Sequence, residues 1–152
     1  MITLKEGDKA PAIKAKDQAG KDITLRQFLG KKVILYFYPE DDTPVCTKEA
    51  CNFRDNFAML KKKGYEIIGV SPNNAEDHQK FIAKYKLPFT LLADENKKVI
   101  NDYGVWGLKK LYGREYMGIQ RATFVINEQG VIEKIIGRVL SKIATEQVLK
   151  TS

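Results

Sequence analysis

A chain of 152 residues with 43% apolar and 30% charged residues has the make-up of an ordinary soluble globular protein and is long enough to bury one core without disulfide staples. No apolar run approaches the ~18 residues of a membrane span, and two cysteines with one histidine cannot supply the four Cys or His ligands of a closed zinc site. The net charge of +7 is scattered along the chain as single and paired lysines, which argues against nucleic-acid binding. Its longest cluster, Lys61 to Lys63, closes a helical pattern, where cations complement the helix dipole.

The opening MITLKEGDKAPAIKAK lacks the continuous apolar segment of a secretory signal, so the expected location is the cytoplasm. In that reducing compartment a close pair of cysteines is more often catalytic or metal-binding than a permanent staple.

In chain order, AIKAKDQAGKDITL predicts two short strands around a turn at Asp17 to Gly20, and KKVILYFYP, aromatic and β-branched, predicts a central strand. From Pro44 to Lys63 the apolar positions Ala50, Phe53, Phe57 and Leu60 step by three and four, the stripe of one amphipathic helix, with Gly64 as its stop. YEIIGVS then predicts a buried strand. NNAEDHQKFIAKYK predicts a helix with Phe81, Ile82 and Tyr85 on one face, ended by Pro88, and FTLLAD a further strand. A helix over Glu95 to Tyr103, a loop over GVWGLKKLYGREYMG, strands RATFVI and VIEKIIGRV joined by NEQG, and a helix from Ser141 to Lys150 complete the chain. No linker or repeat interrupts it, so one domain over residues 1–152 is expected. The order of elements implies an α/β protein: a thioredoxin-like fold with a mixed central β-sheet flanked by helices and an N-terminal β-hairpin.

Both cysteines fall at the start of the first helix. Thr43 fits the N-cap, where its side chain can accept from free backbone N–H groups, and Pro44 fits the first helical position. Cys46 is then the third helical residue, close to the positive end of the helix dipole, a position that favours a thiolate. Five residues along a helix turn through about 140° and rise about 7.5 Å, which sets the Cα atoms of Cys46 and Cys51 about 8 to 9 Å apart. A disulfide needs them within about 7 Å. A bond between them therefore requires the helix start to unwind and reduction to let it rewind, with one cysteine reacting and the other resolving. Packing alternatives stand beside this. Free cysteine is a common core residue, and Cys51 adjoins Ala50. Taken alone, Glu49 reads as a solvated helix residue, Arg121 as a surface cation, His78 as an exposed residue on the polar side of its helix, and Trp106 and Tyr112 as loop-packing aromatics.

The segment YFYPEDDTPVCTKEACNFRD resembles the active site of peroxiredoxins, whose Pro-x-x-x-Thr-x-x-Cys signature is matched by Pro39, Thr43 and Cys46. The Cys-x-x-x-x-Cys spacing is similar to the bacterioferritin comigratory protein, or peroxiredoxin Q, subfamily, and the likeness runs over nearly all of residues 2 to 137. The resemblance implies a thiol peroxidase that uses no metal, haem or flavin. Cys46 would attack the O–O bond of hydrogen peroxide or an alkyl hydroperoxide to give sulfenic acid, Cys51 would condense with it to a disulfide, and thioredoxin or a similar dithiol protein would reduce that bond. By position, Thr43 would hold peroxide and sulfur, Pro39 would shield the pocket, Arg121 would stabilise thiolate and developing charge, and Glu49 would orient the arginine. Arg54 is expected only to form ion pairs. A monomer is expected, because an intramolecular resolving cysteine needs no second chain. Two departures are visible. Val45 stands where most of the subfamily has glycine, and the tail RVLSKIATEQVLKTS lacks the Trp and His common in related tails. The rival readings are a thiol–disulfide oxidoreductase or redox sensor using the same cysteines, and a non-catalytic module that binds an acidic partner.

Overall fold

The computed structural model describes residues 2–150. Strands β1 (Lys14–Asp17) and β2 (Asp22–Thr24) pair antiparallel around a turn in which Asp17 Oδ1 accepts from the N–H groups of Ala19 and Lys21. Gly20 closes it at φ 78°, a left-handed conformation suited to glycine. Next comes β3 (Lys32–Phe37), buried at every position from Val33 onward. It is followed by α1 (Pro44–Asp55), α2 (Phe57–Lys62), β4 (Tyr65–Ser71), α3 (Ala75–Tyr85), β5 (Thr90–Ala93) and α4 (Lys98–Asp102). Strands β6 (Trp106–Leu111), β7 (Arg114–Ile119), β8 (Ala122–Ile126) and β9 (Ile132–Ile136) and helix α5 (Ala144–Leu149) complete the described chain.

The main sheet runs β2-β1-β5-β4-β3-β8-β9. It is parallel from β3 through β4 to β5 and antiparallel elsewhere. Because side chains alternate across a strand, β3 feeds two cores at once. Val33, Leu35 and Phe37 join Phe124 and the α4 residues Val99 and Ile100 on one face. Ile34 and Tyr36 meet Cys46, Ala50 and Phe53 of α1 on the other, with Phe81 of α3 and Val148 of α5. Gly69 of β4 is required there, since a Cβ would stand 2.7 Å from Leu91 and 2.9 Å from the Tyr36 ring. The mixed sheet, flanking helices and N-terminal hairpin are those of the thioredoxin-like fold expected from the sequence.

Four local expectations differ from the structure. The helix predicted over residues 44–63 breaks at Asn56, whose φ of −107° and ψ of 8° leave the helical region. Its side chain donates to the Asn52 carbonyl, the kind of local bond by which asparagine competes with helix. The helix predicted from Glu95 starts only at Lys98, because the buried Asp94 carboxylate takes the N–H groups of Val99 and Ile100 and Lys97 turns left-handed first. The predicted loop over residues 104–118 is instead a hairpin of β6 and β7, paired from Trp106↔Ile119 to Leu111↔Arg114. Tyr112 at φ 50° and Gly113 at φ 77° form its two-residue turn, both with the positive φ of a type I′ turn. The last predicted helix is a 3₁₀ turn over Ser141–Ile143 followed by α5.

Candidate active site

The site is built where β3 hands the chain to α1. Tyr38 follows the strand, and its hydroxyl donates to Asp41 Oδ1 at 2.6 Å. Asp42 takes a left-handed φ of 58°, its carboxylate held by Lys84 Nζ and the Tyr85 hydroxyl, each at 2.7 Å. Thr43 occupies the N-cap position in an extended conformation, and its carbonyl accepts the first helical bond from Thr47. Its hydroxyl does not cap. It donates to the Glu40 carbonyl at 2.8 Å, so the loop takes the side chain that the sequence assigned to the helix.

On α1 the buried residues are Cys46, Glu49, Ala50 and Phe53. These are i, i+3, i+4 and i+7, one face of a helix, so a thiol and a carboxyl share the inward stripe with an apolar pair. Arg121, at the entry to β8, reaches both. Its Nη2 donates to Cys46 Sγ at 3.1 Å and its Nη1 to Glu49 Oε1 at 2.9 Å. The planar fork of arginine suits such a two-pronged contact. The solvated reading of Glu49 and the surface reading of Arg121 are therefore wrong: the carboxyl is wholly inaccessible and the guanidinium side chain only 17% exposed. Burial pushes the Glu49 carboxyl up to about 7, with the Arg121 charge and hydrogen bond opposing it. Its second oxygen is buried without a hydrogen-bond partner, as is the hydroxyl of Tyr36. For Arg121, burial pulls the guanidinium down, yet Cys46 and Glu49 together hold it above its ordinary value.

Cys51 is half-buried, outside both apolar clusters, and both thiols are free. Pro39 is half-buried in the same loop and Val45 is 47% exposed. Arg54 pairs with Asp55 at 2.9 Å and donates Nη1 to the Tyr85 carbonyl, an ion-pairing and bracing role in line with expectation. The tail docks on α1 through Asn52, whose amide donates to the Lys142 carbonyl and accepts from Thr145 N–H.

Two expectations fail here. His78 is not exposed but wholly buried, with Nδ1 2.6 Å from Asp41 Oδ2 and Nε2 2.9 Å from the Leu92 carbonyl. The signal was present, since His78, Phe81, Ile82 and Tyr85 are i, i+3, i+4 and i+7 on α3. Tyr112 is 97% exposed at the hairpin tip and packs nothing, whereas Trp106 is half-buried against the core with Lys97 Nζ 5.2 Å from its ring centroid. Asp41 and Tyr36 are the other residues that sequence reasoning missed; Asp41 lies inside the quoted motif, and Tyr36 inside a run read only as strand. Among the described residues no group of His, Cys, Asp and Glu could hold a metal ion, and no helix is long and apolar enough to cross a membrane.

Fold and site together define a thiol-dependent redox enzyme. The model of the AhpC/TSA family matches residues 6–135. The chain is 46% identical over 151 residues to a putative peroxiredoxin bcp of Helicobacter pylori, covering 99% of each chain. It is 43% identical to the peroxiredoxin Bcp of Bacillus subtilis, covering 99% of this chain and 96% of that one. Among solved structures it superposes with a TM-score of 0.86 on the Xanthomonas campestris bacterioferritin comigratory protein, at 28% identity over 98% of this chain and 95% of that one. That structure was described for its alkyl peroxide reduction activity. The chain belongs to the AhpC/TSA family and, within it, to the Bcp peroxiredoxins, which makes it a thiol peroxidase.

Proposed function

We propose that this peroxidase reduces hydrogen peroxide and organic hydroperoxides at Cys46, that Cys51 resolves the product as an intramolecular disulfide, and that thioredoxin or a similar dithiol protein reduces that bond. The Cys46 thiolate attacks one peroxide oxygen and the O–O bond breaks. Sulfur becomes sulfenic acid, and the departing oxygen takes a proton to leave as water or alcohol. The Cys51 thiol then attacks the Cys46 sulfur, expelling water and forming the disulfide. A dithiol reductant exchanges through a mixed disulfide and leaves both thiols reduced.

The observation that carries this reading is the double grip of Arg121 on Cys46 Sγ at 3.1 Å and Glu49 Oε1 at 2.9 Å. A fixed cation against the sulfur meets the negative charge that the attacking sulfur brings and that grows on the peroxide oxygens. Glu49 then orients the guanidinium. Thr43 spends its hydroxyl hydrogen on the Glu40 carbonyl, which leaves its oxygen lone pairs free to accept from a peroxide O–H. Pro39, with no N–H of its own, shields the loop side. The chain acts as one domain over residues 1–152, as a cytoplasmic monomer needing no cofactor.

The test is stopped-flow consumption of one equivalent of hydrogen peroxide by reduced protein, with mass spectrometry of wild type, Cys46→Ser and Cys51→Ser. Rapid loss with a two-hydrogen mass decrease in wild type, a sulfenic adduct in Cys51→Ser and no reaction in Cys46→Ser support the assignment. Oxidation no faster than that of a free thiol, whichever cysteine is removed, would transfer the site to thiol–disulfide exchange or redox sensing.

A further inference from the structure

We propose that His78 is a positioning residue for peroxide reduction, acting through Asp41 to fix the loop that carries Pro39 and Thr43 into α1. The inference rests on the reading of Cys46 as the peroxide-reactive thiol. A histidine in the apolar stripe of α3 is costly unless both ring nitrogens are satisfied, and here they are. Nε2 lies 2.9 Å from the Leu92 carbonyl, an oxygen with no hydrogen to give, so Nε2 is the donor. Nδ1 lies 2.6 Å from Asp41 Oδ2, a short contact that ties the imidazole directly to the loop carboxyl.

Asp41 is held on every side. Its side chain is 5% exposed, its Oδ1 receives the Tyr38 hydroxyl at 2.6 Å, and its N–H donates to Asn73 Oδ1 at 3.0 Å. The next residue, Asp42, is gripped by Lys84 and Tyr85 of the same helix as His78. Helix α3 thus anchors two consecutive residues. Glu40 and Thr43 bracket that pair, and it is the Glu40 carbonyl that aims the Thr43 hydroxyl. A satisfied buried network of this kind rigidifies what it touches. Cys46 and Arg121 are held by α1 and β8 instead, so slackening the loop leaves the thiol and its cation in place.

The experiment compares His78→Ala with His78→Asn. Both lose the ring and the bond to Leu92, so both lose stability. Only asparagine still offers a donor near the position of Nδ1. Two rates are read on reduced protein well below each melting temperature: oxidation of Cys46 by hydrogen peroxide, and its alkylation by iodoacetamide, which does not use the loop. We expect His78→Ala to slow peroxide oxidation by about tenfold or more, as sub-ångström misplacement of a positioning group does, with alkylation unchanged. His78→Asn should recover to within about threefold of wild type. Equal slowing in both variants would assign the effect to packing and overturn the proposal, as would an unaffected His78→Ala. Should His78→Ala not fold, Asp41→Ala takes its place. It should slow the peroxide step alone, and the Asp41→Ala/His78→Asn double variant should be no slower than Asp41→Ala; an unaffected Asp41→Ala, or losses that multiply, would overturn the coupling. A wild type without Cys46-dependent peroxide consumption would overturn the peroxidase assignment and this proposal together, whereas a fast wild type beside an unaffected His78→Ala overturns this proposal alone.

Discussion

Cys46 and Cys51 share one unbroken helix, yet the sulfur of Cys46 turns inward to Arg121 while Cys51 stands half-buried outside the apolar core. Helical spacing keeps the two too far apart to bond. The stretch between them is also fixed at both ends to α3, through Asp41 and Asp42 upstream and through Arg54 on the Tyr85 carbonyl downstream. Oxidation should therefore melt α1 between these ties and spare what lies beyond them. Amide hydrogen exchange of the reduced and disulfide forms should show protection lost within residues 44–53 and kept in α3. A fully disulfide-bonded sample with α1 still protected would rule the unwinding out.

Replacing Arg121 with glutamine removes the cation between thiol and carboxyl. Loss of one preorganised charge-stabilising donor costs on the order of 10²–10³ in rate, and the peroxide step should fall by that much. Exchange of the Cys46–Cys51 disulfide with a small dithiol should fall far less. Equal losses in both assays would count against peroxide as the oxidant the site is built for.

Glu49 carries a pH signature. Its folded-state value of about 7 lies above the ordinary 4.5, raised by burial against the opposing Arg121. Between those two values the folded state holds more protons than the unfolded chain, so stability must fall as pH rises from about 4.5 to about 7. The decline attributable to this group is at most about 3 kcal/mol. Glu49→Gln should flatten that part of the profile in urea titrations run across the range. A variant profile with the same slope as wild type would show that Glu49 is not its source.

Val45, the second residue of α1 and 47% exposed, stiffens the turn that must open. Val45→Gly should weaken the helix start by up to about 1 kcal/mol. Disulfide formation after peroxide attack should then become a few-fold faster, with the peroxide step itself unchanged. Stopped-flow traces resolve the two phases, and an unaltered second phase would mean that opening of this turn does not limit resolution.

The main sheet was legible because β3, β4 and β8 are runs too apolar for any other place, and the signature around Cys46 named its own loop. The stripe of α1 was equally plain, and the inward thiol follows from it. What the sequence hid were contacts made across the fold. Glu49 and Arg121 are 72 positions apart and each reads locally as a solvated charge. His78 was misplaced because a polar residue on an amphipathic helix is ordinarily turned out; its place in the stripe of Phe81, Ile82 and Tyr85 pointed inward, but its partners, Asp41 and the Leu92 carbonyl, lay far along the chain. The β6–β7 hairpin was hidden by its turn, where Tyr112 adopts a positive φ that usually calls for asparagine or glycine.

Asn52, directly after Cys51, holds the C-terminal segment at two points, Lys142 and Thr145. When α1 uncoils, that double stitch is dropped and α5 keeps its apolar seat and the Lys134 ammonium on the Gln147 and Lys150 carbonyls. The redox history of two thiols is thereby written onto a remote stretch of chain, and a fluorophore attached near Lys150 would brighten or dim with each turnover.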